Sequence, residues 1–176
     1  MGNSKLVCLT GLALVLAACG GETKPEATAE KAPERLAAGL YEMSAEVIQL
    51  ASTDQTTPAT KLKQGDKLVT RACVGTDGVP EPSLFAEEGD DCQIKNSYVR
   101  NGRMSVEMSC KREGMSGDVM PAMRGSFTKD GFEGEITTLT YFIKDGDYRL
   151  TREISARLLG DCPAEGTTEG APETAG

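Results

Sequence analysis

Apolar and polar residues alternate one for one along much of the chain. Tyr41, Met43, Ala45 and Val47 are separated by Glu42, Ser44 and Glu46. Tyr148, Leu150, Ile154, Ala156 and Leu158 are interleaved with Arg149, Thr151, Glu153, Ser155 and Arg157, and Arg152 is the one break in that apolar face. A repeat of two places one set of side chains on each face of a strand, so these stretches predict half-buried β-strands. Further strands are predicted over residues 67–74, 92–99, 103–110, 122–128 and 132–143. Polar or Gly- and Pro-containing connections are expected over 51–60, 75–91 and 111–121. A short helix over 82–88 would pin Leu84 and Phe85 to the sheet. The fold class that follows is all-β, an antiparallel meander of about seven strands with at most one short helix. It should be curled or barrel-like, since a flat sheet would leave its apolar face wet.

Asn101-Gly102, Asp130-Gly131 and Lys144-Asp145-Gly146 mark hairpins. A three-residue loop over 100–102 places Tyr98 opposite Met104, Asn96 opposite Val106, Ile94 opposite Met108 and Cys92 opposite Cys110. A two-residue Asn-Gly loop would send the two cysteines to opposite faces. The expected disulfide is therefore Cys92–Cys110, and Cys73–Cys162 follows by subtraction. With Asp130-Gly131 as a two-residue loop, Phe127 lies across from Gly134 and covers it.

The first residues follow another pattern. An apolar run of roughly 11 residues over 6–16 follows one basic residue, Lys5, and is too short to span a bilayer, which takes roughly 20. It closes on Leu16-Ala17-Ala18-Cys19, which resembles the lipobox of bacterial lipoproteins. Residues 1–18 then read as a removable signal peptide, and Cys19 as the lipidated (palmitate-type acyl) N-terminus. Residues 19–38 read as a flexible tether, 39–162 as the β domain and 163–176 as a disordered tail. The alternative is an ordinary secretory leader with Cys19 incidental. Gly20 rather than an aspartate after the cysteine favours the outer over the inner membrane, facing the periplasm. Export also explains the cysteines. Of six in the chain, Cys8 leaves with the leader and Cys19 takes lipid, and an even set of Cys73, Cys92, Cys110 and Cys162 remains for oxidation.

Gly39-Leu40-Tyr41-Glu42-Met43 resembles the Gly-Leu-Trp-Glu opening of an exported bacterial family known as domain of unknown function 3617, with Tyr41 in place of the usual Trp. Asp91-Cys92 with Cys110 after the Asn-Gly hairpin resembles its central cysteine pair. Gly125-Ser126-Phe127 with Gly134 resembles its Gly-x-Tyr/Phe hairpin, and Gly160-Asp161-Cys162 its Gly-Asp-Cys end. The likeness covers about residues 39–162. It implies the strand count and the cysteine pairing, and carries over no catalytic residue.

Composition narrows the function. A net charge of −8 argues against nucleic-acid binding by phosphate neutralisation. It also argues against attraction to anionic headgroups, so contact with the membrane falls to the lipid on Cys19. The chain has no histidine, which removes Ser-His and Cys-His machinery. No phosphate loop or nucleophile elbow is present. Glu87, Glu88, Asp90 and Asp91 have no calcium-loop spacing. Met104, Met108, Met115, Met120 and Met123 read as filler for a Trp-free core rather than copper ligands. No catalytic residue, cofactor or metal is expected, and the chain reads as a non-enzyme. The first functional reading is a binder of an apolar small molecule or lipid in the curl of the sheet. The second is an envelope scaffold or protein-interaction module.

Overall fold

The sequence period of two becomes seven antiparallel strands. The computed structural model describes residues 32–163. Within them β1 spans Gly39–Ser52, β2 Lys67–Val74, β3 Asp90–Arg100, β4 Arg103–Arg112, β5 Gly117–Phe127, β6 Gly131–Phe142 and β7 Tyr148–Gly160. All join one sheet in the order β2-β1-β7-β6-β5-β4-β3, curled into a half-barrel. The leader, Cys19 and residues 164–176 lie outside the described residues.

The strand order has a topological consequence. β2 and β3 are consecutive in sequence yet occupy the two opposite edges of the sheet. The connection 75–89 must therefore cross from one edge to the other. It carries a single 3-10 turn, Pro82–Leu84, in place of the helix expected over 82–88. Pro82 and the short apolar pair Leu84-Phe85 suit one turn rather than several. Leu84 and Phe85 are fully buried beneath the sheet. Phe132 links Phe85 to Tyr41, with ring centroids 6.0 and 5.8 Å apart. The curled sheet and this strap enclose the core, which is shared by Met43, Ala45, Val74, Met104, Val106, Met108, Val119, Met123 and Ile136. Met104, Met108 and Met123 thus serve as packing, while Met120 stands exposed.

Two expected registers and one expected loop are revised. The β3–β4 turn has two residues rather than three. Asn101 and Gly102 both take positive φ, 53° and 74°, the paired left-handed geometry that suits strand twist. Cys92 still faces Cys110 because Lys95 is an extra, bulged residue between Ile94 and Asn96. The bulge turns Val99 toward Met104 and leaves Tyr98 exposed opposite Ser105. At the β5–β6 turn Phe127 faces Phe132, not Gly134, and Gly134 faces Gly125. A Cβ on Gly125 would come within 2.0 Å of the Glu133 carbonyl. Two facing glycines let the β5 and β6 backbones approach closely at this point. Finally, most of the loop expected over 111–121 is strand. Pro121 is accommodated because the β4–β5 pairing skips residues 120 and 121, where its missing N–H is not needed.

The packed region begins before residue 39. Leu36 is buried, Ala37 O accepts from the Tyr41 hydroxyl at 3.0 Å, and Glu34 O accepts from Asn101 N–H at 3.0 Å. An apolar side chain and two satisfied carbonyls hold a stretch whose polar composition suggested a tether.

Candidate functional site

The strap is held to the sheet by two arginines. Arg112, at the end of β4, grips Asp90 through both arms of its fork, Nε to Oδ1 at 2.7 Å and Nη2 to Oδ2 at 2.9 Å. Its Nη1 donates to the Tyr148 hydroxyl at 2.8 Å and to Ala59 O at 2.7 Å. Its Nη2 lies 3.2 Å from Glu87 Oε2. The guanidinium also lies over the rings of Phe142 and Tyr148, 5.9 and 5.8 Å from their centroids. Glu87 in turn accepts from the Tyr148 hydroxyl at 3.0 Å and from Thr60 Oγ1 at 3.0 Å. Arg152, the break in the β7 pattern, is 1% exposed. It reaches across the core and donates through Nη2 to the Phe85 carbonyl.

The electrostatics match this burial. Burial, then the charge of Glu87, pushes the Tyr148 phenol well above its ordinary range, so it stays a neutral donor. Burial works against the Arg112 charge, but the hydrogen bonds to Asp90 and the Glu87 carboxylate outweigh it and hold that charge more firmly than usual. Burial lowers Arg152, partly offset by Glu87, Tyr148 and Asp90. Two guanidiniums and two carboxylates balance, as a buried polar cluster must. Among the described residues, Arg152 Nε and Thr138 Oγ1 have no hydrogen-bond partner. The cluster fixes the strap, and each acid in it is already engaged by arginine, tyrosine or threonine. Of the acids weighed for calcium, Glu87 and Asp90 are bound to Arg112, and among the described residues no group of three or more His, Cys, Asp or Glu side chains is placed to hold a metal ion.

The expected cysteine pairs are both bonded, Cys92 to Cys110 and Cys73 to Cys162. Sequence reading noticed Arg152 only as an irregularity and missed Arg112, Glu87, Asp90 and Tyr148 as a group. The available signal was the coincidence of an arginine in an apolar face with acids in the one connection that must pass beneath the sheet.

At the same end of the sheet Asp54 closes two loops. Its carboxylate accepts from Thr56 Oγ1 at 2.7 Å and from the N–H groups of Gly146 and Asp147 at 2.8 and 2.9 Å. These bonds, that of the Thr56 hydroxyl first, hold its carboxyl well below the usual range. A lowered folded-state value means stability that is present above the ordinary aspartate value, about 3.9, and lost as pH falls below it. Asp54→Asn is expected to flatten stability against pH below about 4, read by thermal melts across that range.

The outer face carries a row of charges across five strands. Lys67 faces Glu46, Glu46 faces Glu153, Glu153 faces Glu135, and Glu135 faces Arg124. These residues line a shallow groove with Ile48 and Val69. Like charges directly opposite repel. Glu153→Thr is expected to stabilise the fold by about 0.5 kcal/mol, with the gain shrinking in high salt, as measured by urea unfolding.

Among the described residues no helix is long and apolar enough to cross a membrane. The model of a family described as a protein of unknown function, DUF3617, matches residues 36–162. No curated protein matches the chain, and no solved structure matches it.

Proposed function

The chain belongs to the DUF3617 family, and from that premise we propose that it is a lipid-anchored envelope protein acting as a non-enzymatic interaction module. The anchor is an acylated Cys19, and the domain faces the periplasm, at the outer membrane. The lipobox-like stretch before Cys19 supports the anchor, and an oxidised, two-disulfide domain suits the compartment.

One observation carries the choice of module over ligand carrier. The concave face, where an apolar ligand would sit, is filled by Leu84 and Phe85, and the strap bearing them is tied down by Arg112 and Arg152. The outer face and the two sheet edges are left as surfaces for a partner. The apolar-ligand reading keeps one feature in its favour: the lining is aliphatic and aromatic, so release of the strap would expose an apolar trough.

Two measurements test the proposal. Mass spectrometry of the mature N-terminus should find an acylated Cys19, with Cys19→Ser releasing the protein from membranes. Chemical crosslinking in intact cells should recover a discrete adduct with the wild-type protein. An unacylated protein sinks the anchor, and no adduct at any crosslinker length sinks the module.

A further inference from the structure

We propose that the free edge of β2 is a docking strip for an extended segment of another envelope protein in which every second side chain runs acidic, apolar, acidic along one face. This rests on the interaction-module reading above and names the surface and the partner chemistry.

The two edges of the sheet are treated differently. β3 carries the Lys95 bulge, which breaks the regular backbone repeat that an added strand would have to match. Such a bulge is a device that discourages edge pairing. β2 has neither bulge nor proline, and its register with β1 is unbroken from Lys67 to Val74.

Two hydrogen bonds show which way its backbone points. Asp66 O accepts from Val47 N–H on the β1 side, and Cys73 O accepts from Glu81 N–H on the other. With a period of two, Lys67, Val69 and Arg71 share the outward direction of Cys73. The strap already pairs the edge at Cys73 and Gly75, where Glu81 and Val79 bond it. At Lys67, Val69 and Arg71 the outward N–H and C=O groups bond nothing among the described residues. An added strand there would continue a ladder that the strap has begun.

The side chains specify the occupant. Lys67, Val69 and Arg71 lie on the outer face, and Val69 is 59% exposed. Lys67 and Arg71 each meet one carboxylate on the β1 side, Glu46 at 3.5 Å and Glu42 at 2.6 Å. Their other flank faces the open edge. An incoming strand is matched by an acid opposite each and an apolar residue opposite Val69. A second copy of this chain fits poorly. Antiparallel pairing centred on Val69 would set Lys67 against Arg71 of the other copy, cation against cation.

The test uses the purified protein and a fluorescein-labelled peptide, Ser-Glu-Thr-Val-Thr-Glu-Ser, whose acids and valine share one face, read by fluorescence polarisation. Its controls are Ser-Lys-Thr-Val-Thr-Lys-Ser and the acidic peptide N-methylated on the amides of its valine and two glutamates. The acidic peptide is expected to bind at least tenfold tighter than the lysine peptide, and methylation of the edge-facing amides to cost at least tenfold. Val69→Pro removes an N–H that the fold does not use. It should retain the melting transition and lose the peptide by the same factor. If that variant does not fold, the methylated peptides decide alone. Equal affinity for both charges, or indifference to methylation, overturns the proposal. So does a dimer that Val69→Pro dissociates, which makes a second copy the occupant. A rise in affinity on deleting residues 164–176 also overturns it, because the chain's own end is then the competitor. A photo-crosslinking side chain placed in cells at Val69, or at the exposed Tyr98 or Tyr141 elsewhere on the sheet, separates this inference from the reading beneath it. Adducts at 98 or 141 but not at 69 overturn the edge and leave the module standing, whereas adducts at none overturn both.

Discussion

Replacing Arg112 by methionine is expected to lower the free energy of unfolding by about 3–5 kcal/mol, measured by urea denaturation at neutral pH. The size follows from what is left behind rather than from what is removed. Asp90 and Glu87 have side chains 0% and 5% exposed. Without Arg112 both carboxylates lose their cation in a place that water barely reaches. Methionine retains much of the apolar stem, so packing loss is a small part of the effect. Arg112→Lys keeps the charge but not the fork that meets both oxygens of Asp90 while also reaching Tyr148 and Ala59. It should fall between the two. Adding Glu87→Gln and Asp90→Asn to Arg112→Met should recover part of the loss, since the charges that needed compensation are gone. Arg71→Met is the control. Its partner Glu42 lies on the outer face, and the loss there should be much smaller. If Arg112→Met and Arg71→Met behave alike, the strap is not held by the buried cluster.

The division between what the chain made legible and what it hid follows from the range of the interactions. Alternation is local, so β2 could be read as Lys67–Val74 and β7 from Tyr148 onward, and the structure places both there. Facing residues in a hairpin are also near in sequence, so the oxidised pair Cys92–Cys110 could be deduced. The deduction reached the correct pair through an incorrect loop. A bulge at Lys95 and a two-residue turn restore the same alignment as no bulge and a three-residue turn. Composition does not distinguish those two solutions, because lysine is an ordinary strand-surface residue in either. The residues between the bulge and the turn register the difference: Tyr98 is exposed rather than inward, and Val99 takes its place opposite Met104. The buried cluster was hidden for the opposite reason. Arg112 and Tyr148 are 36 residues apart, and Arg152 and the carbonyl it binds are 67 apart. Nothing local marks Glu87 as a buried acid when it sits among Glu88, Asp90 and Asp91. Its fate is set by strand order, which forces its connection under the sheet.

The two disulfides should differ in worth, and the longer loop should matter more. Replacing Cys73 and Cys162 by serine is expected to cost about 4–5 kcal/mol, and replacing Cys92 and Cys110 by alanine about 3 kcal/mol, from loop-closure entropy. The sequence separations are 89 and 18 residues. The first bridge also joins β2 to the residues just past β7, a strand that is not its neighbour. β1 lies between β2 and β7, and its Leu40 faces Cys73 on one side and Gly160 on the other. The bond therefore closes over the start of β1 and fastens three strands at one end. The second bridge joins two strands already paired through a tight turn, so much of its constraint is local. Exposure gives an independent handle. Cys162 is exposed, whereas Cys110 is fully buried. Mild reduction followed by alkylation and mass spectrometry should label Cys73 and Cys162 first, while the labelled protein keeps a cooperative but lowered melting transition. Equal losses for the two pairs, or first labelling of Cys92 and Cys110, would mean that the β2–β1–β7 end is held by its sheet contacts and not by the bridge across them.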